Sequence, residues 1–410
     1  MRILIVALCI FLLQSCGIKQ KMEQENIASL YQPGGGQIFP EIKVTPVNDE
    51  RVLISVRINT NELVAGNAAL DTVPRWKLMI RPAYYDNYRK LIPADSLSII
   101  VSKEKNQSTR WVEGEFTQRC KINSEGILQL QVIDLHVNTV HRFRKIINRK
   151  NTALELAGEL TRRRDSVVLL RPFINDLAVY RIRFPYSKVD SLTMIYFGHN
   201  FPMPVPPFSM EKEHQFSFEG DERKEFKQAD SFEVRFERPG IYHFLPAGES
   251  ENGFTVFKWR KGFPSSSKNT EAQSLAYILS REESEELKEQ EDGVINFWNS
   301  LSADGDQNAV VRKTWLSRTE MANRLFTSYI EGWQTDRGMI YMVFGPPAEV
   351  YKSETDENWV IAGRQNFPPL VFSFRKVENP LSDNDYGLQR NPAFKLSWYE
   401  AVEKWRRGIF

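Results

Sequence analysis

Cysteine is scarce in this chain. Three residues, Cys9, Cys16 and Cys120, in 410 exclude a disulfide-stapled scaffold and a cysteine-rich zinc site. Histidine is nearly as scarce. All five (His136, His141, His199, His214 and His243) precede residue 250, so no Ser-His-Asp or Cys-His site can be built wholly within the C-terminal third. Neither H-x-x-x-H nor H-E-x-x-H spacing occurs. His136 and His141, five apart beside Asp134, read as polar positions at a strand end rather than metal ligands. There is no P-loop and no G-x-G-x-x-G, and Gly34-Gly35-Gly36 lacks the strand-to-helix setting of a phosphate cradle. Charge of one sign is also missing. Lys and Arg total 54 against 52 Asp and Glu, for a net charge of +2, which argues against nucleic acid as the main partner. No cofactor or metal is expected, and the sequence leaves any small-molecule ligand unknown.

What is present is a core-forming composition, 41% hydrophobic and 12% aromatic with 26% charged residues, long enough for several domains. The one long apolar run is Ile3 to Leu13. It is too short to span a bilayer and has the length of an export-signal core. It ends in Leu13-Gln14-Ser15-Cys16-Gly17, which resembles a bacterial lipobox, with Gln14 in place of the usual small residue. The resemblance implies a signal peptide over 1–15 and a diacylglycerol-bearing, palmitate-type anchor on Cys16. The mature protein is then tethered to a membrane rather than spanning it. Cys120 is left without a partner and is expected to be a buried small hydrophobe. Residues 16–38, polar and containing Pro33-Gly34-Gly35-Gly36, read as a flexible tether. Surface-exported lipoproteins of the Bacteroidota carry an acidic cluster after the cysteine. Lys19 and Lys21 stand here instead, which points to the periplasmic face of the outer membrane.

From 39 to about 260 the pattern alternates with the period of strands. Val52–Ile58, Trp76–Ile80, Leu97–Val101 and Leu128–Val132 form one set. Ser166–Leu170, Tyr180–Phe184, Leu192–Phe197, Phe232–Phe236, Pro239–Phe244 and Phe254–Phe257 form another. They predict two tandem all-β immunoglobulin-like sandwiches, 39–150 and 151–263. Beyond Ser265-Ser266-Ser267 the period becomes helical. Leu275/Ile278/Leu279, Val294/Trp298/Leu301, Trp315 to Tyr329 and Trp398/Val402/Trp405 mark helices. Met339–Phe344, Trp359–Ile361 and Leu370–Phe374 read as strands between them. An α+β domain over 264–410 follows, holding six of the nine tryptophans.

Within it lies Gly332-Trp333-Gln334-Thr335-Asp336, then Arg337-Gly338, the apolar run and Gly345-Pro346-Pro347. This resembles the GWxTD domain of bacterial envelope proteins, frequent in the Bacteroidota, over roughly residues 270–410. The resemblance implies an architecture and a location, not a reaction. The residues themselves suggest structure. Gly332 suits a left-handed helix cap and Trp333 a lock between helix and sheet. Thr335 and Asp336 can accept backbone N–H groups, and Arg337 can pair with a carboxylate. Gly345-Pro346-Pro347 is expected to end the Met339–Phe344 strand.

Taken together, the sequence reads as a non-enzymatic, outer-membrane-anchored lipoprotein. It would serve as a subunit or accessory scaffold of an envelope protein complex for secretion, outer-membrane biogenesis or gliding. The alternative is a carbohydrate-active or cell-wall-binding module using carboxylates near Asp336, drawn from Glu331, Asp336, Glu349, Asp356 and Glu357. A proline-rich loop, Phe201-Pro202-Met203-Pro204-Val205-Pro206-Pro207-Phe208, offers Phe201, Met203 and Phe208 as a candidate docking element for a protein partner.

Overall fold

The structure is a computed structural model. It describes residues 21–32, 38–66, 73–149, 158–184, 189–198, 201–211, 219–227, 231–248, 253–290, 292–302, 304–362 and 369–409.

Strands β1 (Glu41–Asn48), β2 (Arg51–Asn59), β3 (Arg75–Tyr85), β4 (Asp95–Ser96), β5 (Ile99–Glu104), β6 (Trp111–Arg119), β7 (Glu125–Asp134) and β8 (Thr139–Asn148) build the first module. One antiparallel sheet runs β1-β2-β6. The other runs β4-β3-β7-β8, with β5 also paired to β3. Alternation sends Val52, Ile54, Val56 and Ile58 of the first sheet onto Leu78, Ile80, Leu130 and Val132 of the second, and they share one core. Cys120 is buried beside it, its thiol 3.3 Å from the Tyr84 hydroxyl.

The second module holds β9 (Glu159–Arg162), β10 (Phe173–Ile174), β11 (Val179–Arg183), β12 (Ser191–Phe197), β13 (Glu222–Lys227), β14 (Phe232–Arg235), β15 (Gly240–Pro246) and β16 (Phe254–Lys258). Its sheets run β14-β11-β9 and β10-β16-β15-β12-β13. Leu160, Ile182, Phe232 and Val234 face Leu192, Tyr242, Phe244 and Val256 across its core. The strand expected over Ser166–Leu170 does not form. Ser166 takes a φ of 55°, and Arg162 N–H closes a turn on the Val167 carbonyl at 2.9 Å. That turn leaves β9, just upstream, as the paired strand. The boundary expected at 150/151 lies outside the described residues.

The C-terminal region comprises α1 (Lys268–Ser274), α2 (Arg281–Glu289), α3 (Gly293–Ser300), α4 (Gly305–Phe326), α5 (Asp336–Phe344), β17 (Glu349–Lys352), β18 (Asp356–Ile361), β19 (Leu370–Lys376), β20 (Tyr386–Leu388) and α6 (Phe394–Arg406). The antiparallel sheet runs β17-β18-β19-β20. Side chains start three of the first four helices. Ser267 and Asp304 cap α1 and α4, and Ser280 with Glu283 forms a capping box on α2.

Met339–Phe344 is helix, not the strand expected. Thr335 caps its start, and seven consecutive residues from Arg337 to Val343 are buried. A continuous apolar run does not distinguish a buried strand from a helix buried on all sides.

One further expectation is corrected. Residues 21–32, read as part of a flexible tether, form two 3-10 turns packed into the fold, and Ile27, Ala28 and Tyr31 join the C-terminal core. The second module and the C-terminal region keep cores of their own and meet in a third, smaller cluster. Ile195, Phe197, Ile241, Phe257 and Trp259, on the outer face of the five-stranded sheet, share a cluster with Leu381 and Tyr329.

Candidate functional site

The motif is built at the end of α4. Gly332 is not a left-handed cap, because α4 stops at Phe326 with Thr327 as its C-cap. Gly332 is needed for close approach instead: a Cβ there would lie 1.9 Å from the Ala322 carbonyl oxygen. Gly338 packs as tightly on the Gly332 carbonyl, also at 1.9 Å. Gly332 N–H donates to Thr327 Oγ1 at 3.0 Å, and Trp333 N–H to Asn323 Oδ1 at 3.2 Å. The Trp333 ring is buried and its Nε1–H donates to Glu331 at 2.9 Å. Thr335 Oγ1 accepts from Gly338 N–H at 3.0 Å and donates to the Gly332 carbonyl at 2.8 Å. One hydroxyl therefore joins the 3-10 turn Gly332–Gln334 to α5.

Asp336 and Arg337 carry the charge. Arg390 holds both oxygens of Asp336, at 2.6 and 3.2 Å, and Leu388 N–H donates to it at 2.7 Å. The same Arg390 reaches the Val205 carbonyl of the second module at 3.1 Å. Arg337 donates to Glu357 at 3.1 Å and to Asn384 at 2.9 and 2.6 Å. Its guanidinium stacks over Tyr386, 4.1 Å from the ring centre.

Glu357 is wholly buried, at 0% exposure. It accepts from Tyr31 Oη at 2.8 Å, Trp359 Nε1 at 2.8 Å, Lys352 Nζ at 3.0 Å and Arg337. Burial alone would raise its pKa, but Lys352 and Arg337 hold it down to about 2. Burial would lower the Lys352 pKa, and Glu357 raises it above the usual lysine range. Burial pushes the Tyr31 phenol up.

Gly345 ends α5 with a φ of 86°. Arg318 donates to the Met342 carbonyl at 2.9 Å, and burial lowers its pKa to about 10. Pro346 is half-buried and Pro347 buried. They turn the chain into β17, and the Pro347 carbonyl accepts from Gln32 Nε2 at 2.8 Å.

The five carboxylates of the glycan-directed reading do not stand as free acids. Glu331 pairs with Arg260 at 3.0 Å and Asp356 with Arg375 at 3.4 Å. Glu349 accepts from the Tyr351 hydroxyl at 2.8 Å. Asp336 and Glu357 are enclosed by cations and N–H donors. What this arrangement does chemically is fix the helix–sheet junction.

The proline-rich loop is not a free docking element. Phe201 meets Tyr329 edge-on at 5.1 Å, Phe208 packs on Tyr399 at 5.6 Å, and Met203 lies against the C-terminal core. The Pro207 carbonyl accepts from Asn391 N–H at 3.0 Å. The loop ties the second module to the C-terminal region. Cys16 lies outside the described residues. His243 is buried against Thr255 Oγ1 at 2.8 Å. Among the described residues no cluster of three or more His, Cys, Asp or Glu is placed to hold a metal, and no helix is long and apolar enough to cross a membrane.

Sequence reasoning missed Tyr31, Lys352 and Arg390 and offered Glu357 only as one of five carboxylates of the glycan-directed alternative. One signal was available. Glu357 stands two residues from Trp359, on the same face of a strand.

The family model of the GWxTD domain matches residues 240–407. The match begins at the first residue of β15, so it takes in the last two strands of the second module along with the helical region. This agrees with the shared packing across residue 263. No curated protein matches the chain.

Proposed function

We propose that this protein is a lipid-anchored scaffold of the bacterial outer membrane, a non-enzymatic subunit or accessory of an envelope complex, of the kind found in Bacteroidota. Cys16 carries the acyl anchor, and the protein faces the periplasm. Two immunoglobulin-like sandwiches and the GWxTD domain form the body. The observation that carries this reading is the use of the motif's polar groups. Asp336, Arg337 and Thr335 are all spent on contacts within the chain. These contacts brace α5 against β20, the segment 21–32 and the loop of the second module. Such a motif builds a rigid platform and offers no carboxylate or cation to a substrate.

The test is to tag the C-terminus, solubilise outer membranes in mild detergent and identify what co-purifies. Stoichiometric envelope proteins that survive high salt are the expected result. A protein that purifies alone from native membranes would sink the scaffold reading.

A further inference from the structure

We propose that the turn between β3 and β4, residues 86–94, is a second membrane contact, which dips Leu91 and Ile92 into an anionic bilayer surface beside the acylated Cys16. The inference rests on the lipid-anchor reading for its orientation and on the fold for its geometry.

The chain is pinned soon after the anchor. Met22 is buried against Tyr88 and Ile127, and Glu23 N–H donates to the Tyr88 carbonyl at 3.3 Å. Arg144 donates to the Met22 carbonyl at 3.3 Å and pairs with Glu25. Cys16 and Met22 are six residues apart, so the anchor can lie at most about 20 Å from the base of this turn. A free tether running to residue 38 would reach roughly 75 Å. The docked segment therefore holds the first module at the membrane surface, with the 86–94 turn next to where the chain leaves it.

The composition of the turn suits that place. Leu91 is 45% exposed and Ile92 64%, side by side at the tip, and Pro93 stiffens the chain after them. Arg89 and Lys90 precede them, both exposed, and neither side chain has an acidic partner among the described residues. Lys21 adds a third cation, loosely paired to Glu23 at 4.0 Å. Asp86, Asp95 and Glu23 are the carboxylates beside the turn; Asp95 accepts from Arg119 N–H at 3.2 Å and Glu23 faces Lys21, which leaves Arg89 and Lys90 as the cations next to Leu91 and Ile92. Two aliphatic side chains behind two basic ones match a bilayer interface, where the apolar tips enter the acyl boundary and the cations meet phosphates. Lipid is the occupant that both halves of the turn satisfy, and the anchor brings it there. A single acylated cysteine leaves the body free to swivel, and a second contact fixes which face looks away from the membrane.

The mature chain from residue 16 with Cys16→Ser, which keeps every described residue, isolates the turn from the anchor. Its binding is measured by co-sedimentation with phosphatidylglycerol-containing vesicles and with pure phosphatidylcholine vesicles. Binding to the anionic vesicles is expected. Leu91→Ser with Ile92→Ser should weaken it roughly tenfold or more, and Arg89→Gln and Lys90→Gln roughly fivefold each. Leu396→Ser removes an exposed apolar group on α6 and should leave binding unchanged. Thermal melts confirm that the variants stay folded. No binding, equal binding to neutral vesicles, or equal loss from the α6 variant would overturn the proposal. Palmitate labelling of wild type against Cys16→Ser tests the anchor separately. Its failure would remove the anchor and leave the vesicle result standing.

Discussion

The first β module fills the space between its sheets with Val52, Ile54, Ile58, Leu78, Leu130 and Val132, side chains with no charge to satisfy, and seats its buried Arg149 against the Asn48 and Cys120 carbonyls. The C-terminal region fills its core with Trp298, Trp315, Trp333, Trp359 and Trp405, and it sets Glu357, Arg337 and Lys352 among them. The aliphatic core is held by area and shape, so its loss is graded with each methylene removed. The aromatic core depends on complete pairing, because a buried charge without its partner costs more than the pair contributes. One region tolerates approximate solutions. The other requires every polar partner to arrive together, including Tyr31 from some three hundred residues earlier.

The sharpest test of that difference is Glu357→Ala. It strands Arg337 and Lys352 in the core and should cost about 3–5 kcal/mol. In a thermal scan followed by tryptophan emission, the C-terminal transition should fall while the first module holds. A common shift of both would show that the two regions unfold as one.

Acid probes the same cluster without mutation. The folded Glu357 pKa of about 2 lies below the ordinary glutamate value near 4.3. A depressed carboxyl contributes stability that is full above the unfolded value and drains as pH falls toward about 2. Between about pH 4.5 and 2, the C-terminal region should lose stability faster than the first module. Protection of its amides in hydrogen exchange would report this. Equal losses would mean that the buried carboxylate does not set the acid limit.

Leu78→Ala is the counterpart in the aliphatic core, with an expected cost of about 2–5 kcal/mol. Denaturant unfolding should show the loss in the first module, with the C-terminal tryptophan signal unmoved. Gly338→Ala tests close packing in the motif. Its Cβ would meet the Gly332 carbonyl, and the expected cost is about 1–3 kcal/mol. Gly305→Ala, where a Cβ meets nothing within 4 Å, should cost nothing by calorimetry. Tyr31→Phe removes one hydrogen bond to a charged group and should cost about 1.5–3 kcal/mol. A larger loss in the urea midpoint would show that residues 21–32 carry more of the C-terminal fold than this one bond.

The first module was the most legible part. Val52–Ile58 and Leu128–Val132 alternate with the period of the pleat, and strands form at both places. Trp398, Val402 and Trp405 likewise mark the helix that became α6. Legibility failed where chain segments distant in sequence meet. Met339–Phe344 became helix because it is enclosed by α4, α6 and the sheet, and its letters alone fit either element. Residues 21–32 looked like linker because their apolar positions are few and irregular. Their partners, Val350, Phe326 and Trp359, lie far along the chain. The loop Phe201–Phe208 was read as outward-facing because nothing nearby in sequence could cover it.

The sequence by itself determined the strand-rich N-terminal part, the helical C-terminal part and the place of the GWxTD signature, because side-chain period and cap residues act over a few neighbouring positions. Only the tertiary structure decided the pairing of Asp336 with Arg390 and of Glu357 with Arg337, Lys352 and Tyr31. It also decided the docking of residues 21–32 and the helical state of Met339–Phe344. Burying a charge is tolerable only when its partners surround it at hydrogen-bonding distance, and that condition is met by packing in three dimensions, which no local pattern encodes.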